Sequence, residues 1–321
     1  MIRLTTHLVS CILLALPAAS QSLPPIYEKT PSKLMKASLR AELPANTFLE
    51  NITTAPDGQL YITSHLDGRI LRLGATGKPL EFARIDGKLA GIAAFPDGGF
   101  LLSGWTKEEK AALFKVDRAG QSSVLTLIDG GMFLNGIAHW RGNEFFVADS
   151  YRGAIYLVNG QTGRYSVWLA SDALVRASTA DPTPGVNGLK VFGGALYASN
   201  SAKQQLLRIS IESSGKPGTV RVVSSPNNLD DFAFDSKGNL YGATHIYNSV
   251  VMVTPDGKTT VVADIASGAA GSTALTFGRT SSDRTKIYVV TNGGMSLPPA
   301  GGVQTAKVIA LSAEVDGYQV R

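Results

Sequence analysis

Apolar and polar residues alternate with a period of two along most of the chain, in short runs broken by turns, and helix-period runs are scarce. The segment "FLNGIAHWRGNEFFVADS", from Phe133 to Ser150, reads as a short apolar strand, a polar turn and a second strand. A close copy, "GVNGLKVFGGALYASNS", runs from Gly185 to Ser201 and keeps the Asn-Gly at the same place. Four more segments follow the pattern: "FLENITTAPDGQLYITSH", "LAGIAAFPDGGFLLSGW", "NLDDFAFDSKGNLYGATH" and "STALTFGRTSSDRTKIYVVTN". Behind most of them stands a third alternating strand, such as "RILRL" at Arg69 or "AIYLV" at Ala154, then a turn such as "TPDGKT" at Thr254 and a fourth strand such as "TTVVAD" at Thr259.

Aligned on one column, the six segments contribute Glu50, Ala90, Asn135, Asn187, Asp230 and Thr273, at steps of 40, 45, 52, 43 and 43 residues. Four short strands per repeat of about 40–45 residues is the pattern of a propeller blade. The expected fold is all-β, a six-bladed β-propeller over residues 34–321. The sixth repeat lacks a clear fourth strand after "AKVIALSAEV". "KASLRAEL", Lys36 to Leu43, is expected to supply it and close the ring, leaving few open sheet edges; a short surface helix over Ser32–Leu43 is the alternative. In such a ring every innermost strand starts at one face, here called upper. The anchoring column gathers there, with the residues that follow each second strand: His65, Trp105, Ser150, Ser201, His245 and Asn292. The Pro-Asp-Gly turns fall on the lower face.

The N-terminus adds a separate element. Arg3, the apolar run "LVSCILLAL" and then Pro17-Ala18-Ala19-Ser20 form a secretory signal pattern over residues 1–20, too short to span a bilayer. A secreted or secretory-pathway protein is expected, with a Pro-rich linker over residues 21–33. The single cysteine, Cys11, lies inside this leader. Disulfide scaffolds are therefore excluded, and a sizeable core must supply the stability. The net charge of +5 is scattered, without basic runs, which argues for solubility and against nucleic-acid binding.

Six equivalent positions converge on one axis, and four carry carboxylate or amide oxygens: Glu50, Asn135, Asn187 and Asp230. Two carboxylates and two amides around a channel suit a hard cation such as Ca²⁺ or Mg²⁺. The competing reading makes the Asn-Gly pairs turns at the strand starts, with Asn capping the backbone. No His/Cys cluster points to zinc, and no organic cofactor is expected. His65 and His245 share a repeat position and can bond a substrate carbonyl or hydroxyl, or their own loops. His139, within an inner strand, reads as a satisfied core residue. Upper-loop residues Phe48, Trp105, Phe133, Tyr151, Tyr247 and Met295 could form an apolar mouth. Asn51-Ile52-Thr53 is a glycosylation sequon on an inner strand, where a glycan would not fit.

The Glu of "LEN", the Asn-Gly of "FLNGIAHW", the Asn-Gly of "GVNGL" and the Asp of "LDDFAF" resemble the senescence-marker-protein/gluconolactonase superfamily of six-bladed propellers, from about Lys36 to Val315. The resemblance implies a divalent metal on Glu50, Asn187 and Asp230, with Asn135 facing substrate and Asp230 as a general base. Ala90, and Glu50-Asn51-Ile52 in place of the usual Glu-Gly-Pro, depart from the family pattern. "ELPANTFLENITTAPDGQLYIT" behind a leader looks more like a fungal secreted branch, whose members include hetero-Diels–Alderases of tropolone-sesquiterpenoid biosynthesis. That resemblance rests on overall pattern and implies an intermolecular cycloaddition between a quinone-methide-type polyketide and a terpene alkene; the catalytic candidates His65, Asn135, Asp230 and His245 come from their places in the repeat and the ring. A metal-dependent lactonase and a non-enzymatic ligand-binding propeller are the alternatives. The partner expected in each enzyme reading is a small molecule, an apolar polyketide or terpenoid or a lactone.

Overall fold

Six four-stranded antiparallel sheets follow one another along the chain as the blades of a β-propeller. The computed structural model describes residues 25–74 and 77–318. The leader expected at residues 1–20 lies outside the described residues, as do residues 21–24 of the Pro-rich stretch. No described helix is long and apolar enough to cross a membrane. Blade three is typical: Leu134–Arg141 is innermost, followed outward by Glu144–Asp149, Ala154–Asn159 and Tyr165–Ala170. Burial falls along the same direction. Leu60–Ser64, a second strand, is wholly buried, whereas Ser122–Leu127, an outer strand, is mostly exposed.

The core is not one ball but a set of layers between neighbouring blades. Phe95, Leu101 and Leu113 of blade two meet Ile137, Phe145 and Val147 of blade three. Ile52 and Ile62 of blade one meet Tyr288, Val290 and Val308 of blade six in the same way. The ring closes as the sequence predicts. Ala37–Ala45 pairs antiparallel with Thr305–Ser312 as the outermost strand of blade six, with Ala37 opposite Leu311 and Thr305 opposite Ala45. Thr305 Oγ1 also donates to Glu42 Oε1. The helix alternative for this stretch is thereby excluded. The described part of the Pro-rich stretch runs on to blade five, where Ser32 bridges Val261 in parallel and Lys33 N donates to Val261 O.

The inner strands of every blade but the fifth share one irregularity. Pairing with the second strand slips between Leu49 and Asn51, between Leu134 and Ile137, and between Val186 and Leu189. The residues inside the slips are Glu50, Asn135 with Gly136, and Asn187 with Gly188. A bulge leaves its extra residue outside the ladder and re-aims its side chain, so these positions can face the axis. The glycine after each Asn has a different cause from the turn reading: Gly136 and Gly188 are not among the left-handed glycines. A Cβ on Gly136 would lie 2.4 Å from Asn187 O of the next blade. Hydroxyls lock the same approach. Ser103 Oγ accepts from Gly91 N at 2.9 Å and donates to Asn135 O at 2.5 Å; Thr273 Oγ1 closes the circle by donating to Leu49 O at 2.7 Å.

Candidate active site

The bulges and the loops above them enclose a cavity of about 310 Å³ at the upper face. Glu50, Asn135, Asn187 and Asp230 all line it, so the four carboxylate and amide members of the column converge. Asn135 and Asn187 are 4% and 3% exposed. Asn187 Nδ2 donates to Asp230 Oδ1 at 2.6 Å and to Ser201 Oγ at 3.1 Å. Ser201 Oγ spends its own proton on Leu229 O at 2.8 Å, which fixes the amide's orientation and leaves Asn187 Oδ1 as an acceptor.

Glu50 is the electrostatic oddity. Burial pushes its carboxyl well above the usual range, and the charges of Asp230 and then Asp231 push it further. Below the cavity, Asp231 is buried against the Lys190 ammonium at 2.5 Å. Burial also raises the Asp231 carboxyl, with Lys190 opposing. Among the described residues no three His, Cys, Asp or Glu side chains group as a metal site. A cation would therefore have to draw on the Asn187 amide oxygen together with Glu50 and Asp230. That oxygen set has the hard-ligand chemistry of Ca²⁺ or Mg²⁺, and a cation there would offset the charges of Asp230 and Asp231 that, after burial, raise the Glu50 carboxyl.

His65 and His245 both line the cavity. His65 Nδ1 lies 2.6 Å from Leu89 O and must donate to it, so Nε2 is the acceptor. Burial pushes His65 below its ordinary value and so keeps it neutral. His245 is held by more partners. Asn292 Oδ1 accepts from Gly294 N at 2.9 Å and Met295 N at 3.1 Å, so its Nδ2 must be the atom 3.0 Å from His245 Nε2. That ring nitrogen is then an acceptor, and the proton sits on Nδ1, 3.1 Å from Asp230 Oδ2. His245 also adopts φ +47°, a left-handed backbone rare for a residue with a side chain.

Aromatic rings build one wall. Phe48 contacts His65 and His245 with centroids 5.2 and 5.8 Å away; His65 meets Trp105 at 5.9 Å, Trp105 meets Phe133 at 4.8 Å, and Phe133 meets Tyr151 at 5.0 Å. Phe48 and Phe133 line the cavity itself. Trp105 and Tyr151 stand behind them, with Trp105 Nε1 donating to Met132 O at 3.2 Å and the Tyr151 hydroxyl to Pro182 O at 2.9 Å. Tyr247 turns away and packs edge-on against Tyr27 at 5.2 Å. Met295 is outside the lining, whereas its neighbour Ser296 is inside. Sequence reasoning missed Ser296, Asn228 and the Pro182–Pro184 turn. The only signal for the last was the long step of 52 residues between Asn135 and Asn187. His139 is half-buried, bonded to Gly142 O at 2.9 Å near the lower end of its strand. Asn51 is buried, with Oδ1 accepting from Ile52 N at 2.8 Å.

Comparison with known proteins places the fold. The chain superposes on the calcium-binding protein regucalcin from Agrobacterium tumefaciens with a TM-score of 0.70 at 17% identity, covering 90% of this chain and 97% of that one. A gluconolactonase from Xanthomonas campestris gives a TM-score of 0.64 at 14% identity, covering 87% and 89%. The fold is that of the SMP-30/gluconolactonase-like six-bladed propellers. In sequence, the chain is 24% identical over 298 residues to a Phoma sp protein that bears the provisional name hetero-Diels-Alderase, spanning 78% of this chain and 84% of the relative. No family model matches.

Proposed function

We propose that this chain is an enzyme of secondary metabolism that joins a quinone-methide-type polyketide to a terpene alkene by a hetero-Diels–Alder cycloaddition. The observation that carries the reading is the cavity's make-up: a continuous aromatic wall over a narrow polar floor. The resemblance to the Phoma sp relative supports it. A cycloaddition needs no nucleophile; it needs two π-systems held together and water kept out. Orientation of that kind is worth roughly 7–11 kcal/mol in favourable cases. Phe48 and Phe133 would hold the flat diene, with Trp105 and Tyr151 bracing them from behind. Asn135 would hydrogen-bond the enone oxygen, and the Nε2 acceptor of His65 would take a substrate hydroxyl. The terpene would extend over the rim past Met132, which is 51% exposed. The leader pattern at residues 1–20 would send the enzyme into the secretory pathway, which N-terminal sequencing of exported protein checks.

The test combines purified protein with a quinone-methide precursor and a terpene alkene, followed by chiral chromatography and mass spectrometry. One enantiomer formed above the spontaneous rate is expected, and Phe133→Ala or Asn135→Ala should drive the product towards the racemate. A racemic adduct at the spontaneous rate would sink the reading.

A second reading rests on the buried Glu50 carboxyl beside Asp230. Glu50, Asn187 and Asp230 would hold Ca²⁺ or Mg²⁺, which when bound supplies Lewis-acid polarisation of a lactone carbonyl. Asp230 would then orient a water for attack. Lactone opening abolished by chelator and by Asp230→Asn is the outcome this reading requires.

A further inference from the structure

We infer that Ser296, His245 and Asp230 form a nucleophile–base–orienter chain that lets the upper cavity cleave small uncharged esters, an activity separate from cycloaddition and needing no metal. Ser296 Oγ lies 3.2 Å from His245 Nε2, and His245 Nδ1 lies 3.1 Å from Asp230 Oδ2. All three line the cavity. This is the atom order that nucleophilic acyl transfer demands: hydroxyl on Nε2, carboxylate on Nδ1. The tautomer is also the required one. Asn292, with its oxygen committed to two backbone N–H groups, can only donate to Nε2, so Nε2 is unprotonated; its single lone pair is shared between Asn292 Nδ2 at 3.0 Å and the Ser296 hydroxyl at 3.2 Å, and the amide must yield when the serine proton is taken.

The supporting structure holds the chain together. Asp230 is held in place by the Asn187 amide on its other oxygen. Asn248, one residue past the turn His245–Tyr247, accepts from Gly271 N at 2.7 Å and donates to Leu297 O at 3.1 Å. That bond ties the His245 turn to the Ser296 loop. His245 has a left-handed backbone within this anchored turn, and backbone outliers of this kind concentrate at functional sites. Ser296 itself is exposed at the rim, where an ester can reach it.

The step balances without an external oxidant or reductant. Ser296 Oγ bonds to the acyl carbon as its proton passes to His245 Nε2. The tetrahedral adduct collapses, the acyl C–O bond breaks, and the leaving alkoxide takes the proton from Nε2. Water then repeats the sequence on the acyl-serine, releasing the acid and restoring the hydroxyl. Phe48, beside His245, would pack an aryl or other apolar part of the ester. The carboxylates of the floor disfavour anionic substrates by like-charge repulsion.

The probes are a fluorophosphonate and p-nitrophenyl acetate, used on the purified protein in the presence of EDTA. Intact mass and peptide mapping should find one phosphonyl adduct, on Ser296, and the acetate ester should be hydrolysed. Ser296→Ala should lose both while keeping its melting temperature. His245→Gln should slow labelling by about 10²–10⁴-fold, the usual worth of a positioned base. Should His245→Gln fail to fold, Ser296→Cys supplies the second test: its thiol should react with iodoacetamide faster than free cysteine at the same pH. An adduct on another residue, labelling of Ser296→Ala at the native rate, a Ser296→Cys thiol no faster than free cysteine, or labelling lost on adding EDTA overturns the proposal.

Discussion

Gly136→Ala tests the geometry on which the site depends. The added Cβ would lie 2.4 Å from Asn187 O, 2.9 Å from Gly188 Cα and 3.0 Å from Leu189 N. All three obstacles are backbone atoms of the neighbouring inner strand, so no side chain can swing aside. The gap to Asn187 O must open from 2.4 Å to at least 3.0 Å, which means moving one blade against its neighbour. Overpacking a core costs about 1–3 kcal/mol, and a backbone obstacle belongs at the upper end, about 2–3 kcal/mol. At roughly 2–4 °C per kcal/mol for a large domain, the melting temperature should fall by about 4–12 °C. Urea unfolding should give a lower midpoint with an unchanged slope, since the same surface is exposed. Gly142→Asn serves as control, because Gly142 has φ +50°, which Asn tolerates, and open space around it. Stability within about 0.5 kcal/mol of wild type, the range of an ordinary surface change, would refute the blade-contact account and return the Asn-Gly pairs to the turn reading.

Ser103→Ala should destabilise by about 2–4 kcal/mol, measured by denaturant titration, because it leaves Gly91 N and Asn135 O buried without their shared partner. Glu50→Gln should raise the melting temperature of chelated protein by removing a buried charge source, and should abolish any thermal shift that Ca²⁺ gives the wild type; an equal Ca²⁺ shift in both proteins would exclude Glu50 as a ligand. His65 has its proton affinity lowered in the folded state, mainly by burial, so the unfolded chain binds the proton more readily. Its contribution is present above the ordinary histidine value of about 6.5 and is lost as pH falls below it towards the depressed folded value. His65→Gln should flatten that part of the stability–pH curve, and a curve of unchanged slope there would refute the assignment. Peptide mapping of protein expressed through a secretory host should find Asn51 unglycosylated, since the side chain is buried and its Oδ1 accepts from Ile52 N; a glycan there would contradict the inner-strand placement.

Much of the architecture was legible before any coordinates. The period-two alternation, the turns and the recurring column specify six blades because strand pairing within a blade is local and its hydrophobic pattern repeats. The closing strand was legible for the same reason: the sixth repeat was one strand short, and Lys36–Leu43 had the pattern to complete it. Even the convergence of Glu50, Asn135, Asn187 and Asp230 follows from register, because equivalent positions in a closed ring must face one axis. The purpose of the Asn-Gly pair did not. Read locally, it is a turn; only the neighbouring blade, arriving within 2.4 Å of the missing Cβ, makes the glycine a packing residue.

The loops mark where sequence stops deciding. Tyr247 and Met295 have the right chemistry for a substrate wall, yet Tyr247 turns to Tyr27, some two hundred residues earlier in the chain, and the cavity takes Ser296 in place of Met295. Side-chain direction in an irregular loop depends on contacts from other blades, and no periodicity encodes it. The same holds for the proton on His245, settled by Asn292 of the next blade, whose own orientation depends on Gly294 and Met295. The sequence by itself determined which residues share a face, because that follows from repeats of backbone geometry. The tertiary structure alone decided which of them touch, donate and accept, because those relations form between segments that meet only when the ring has closed.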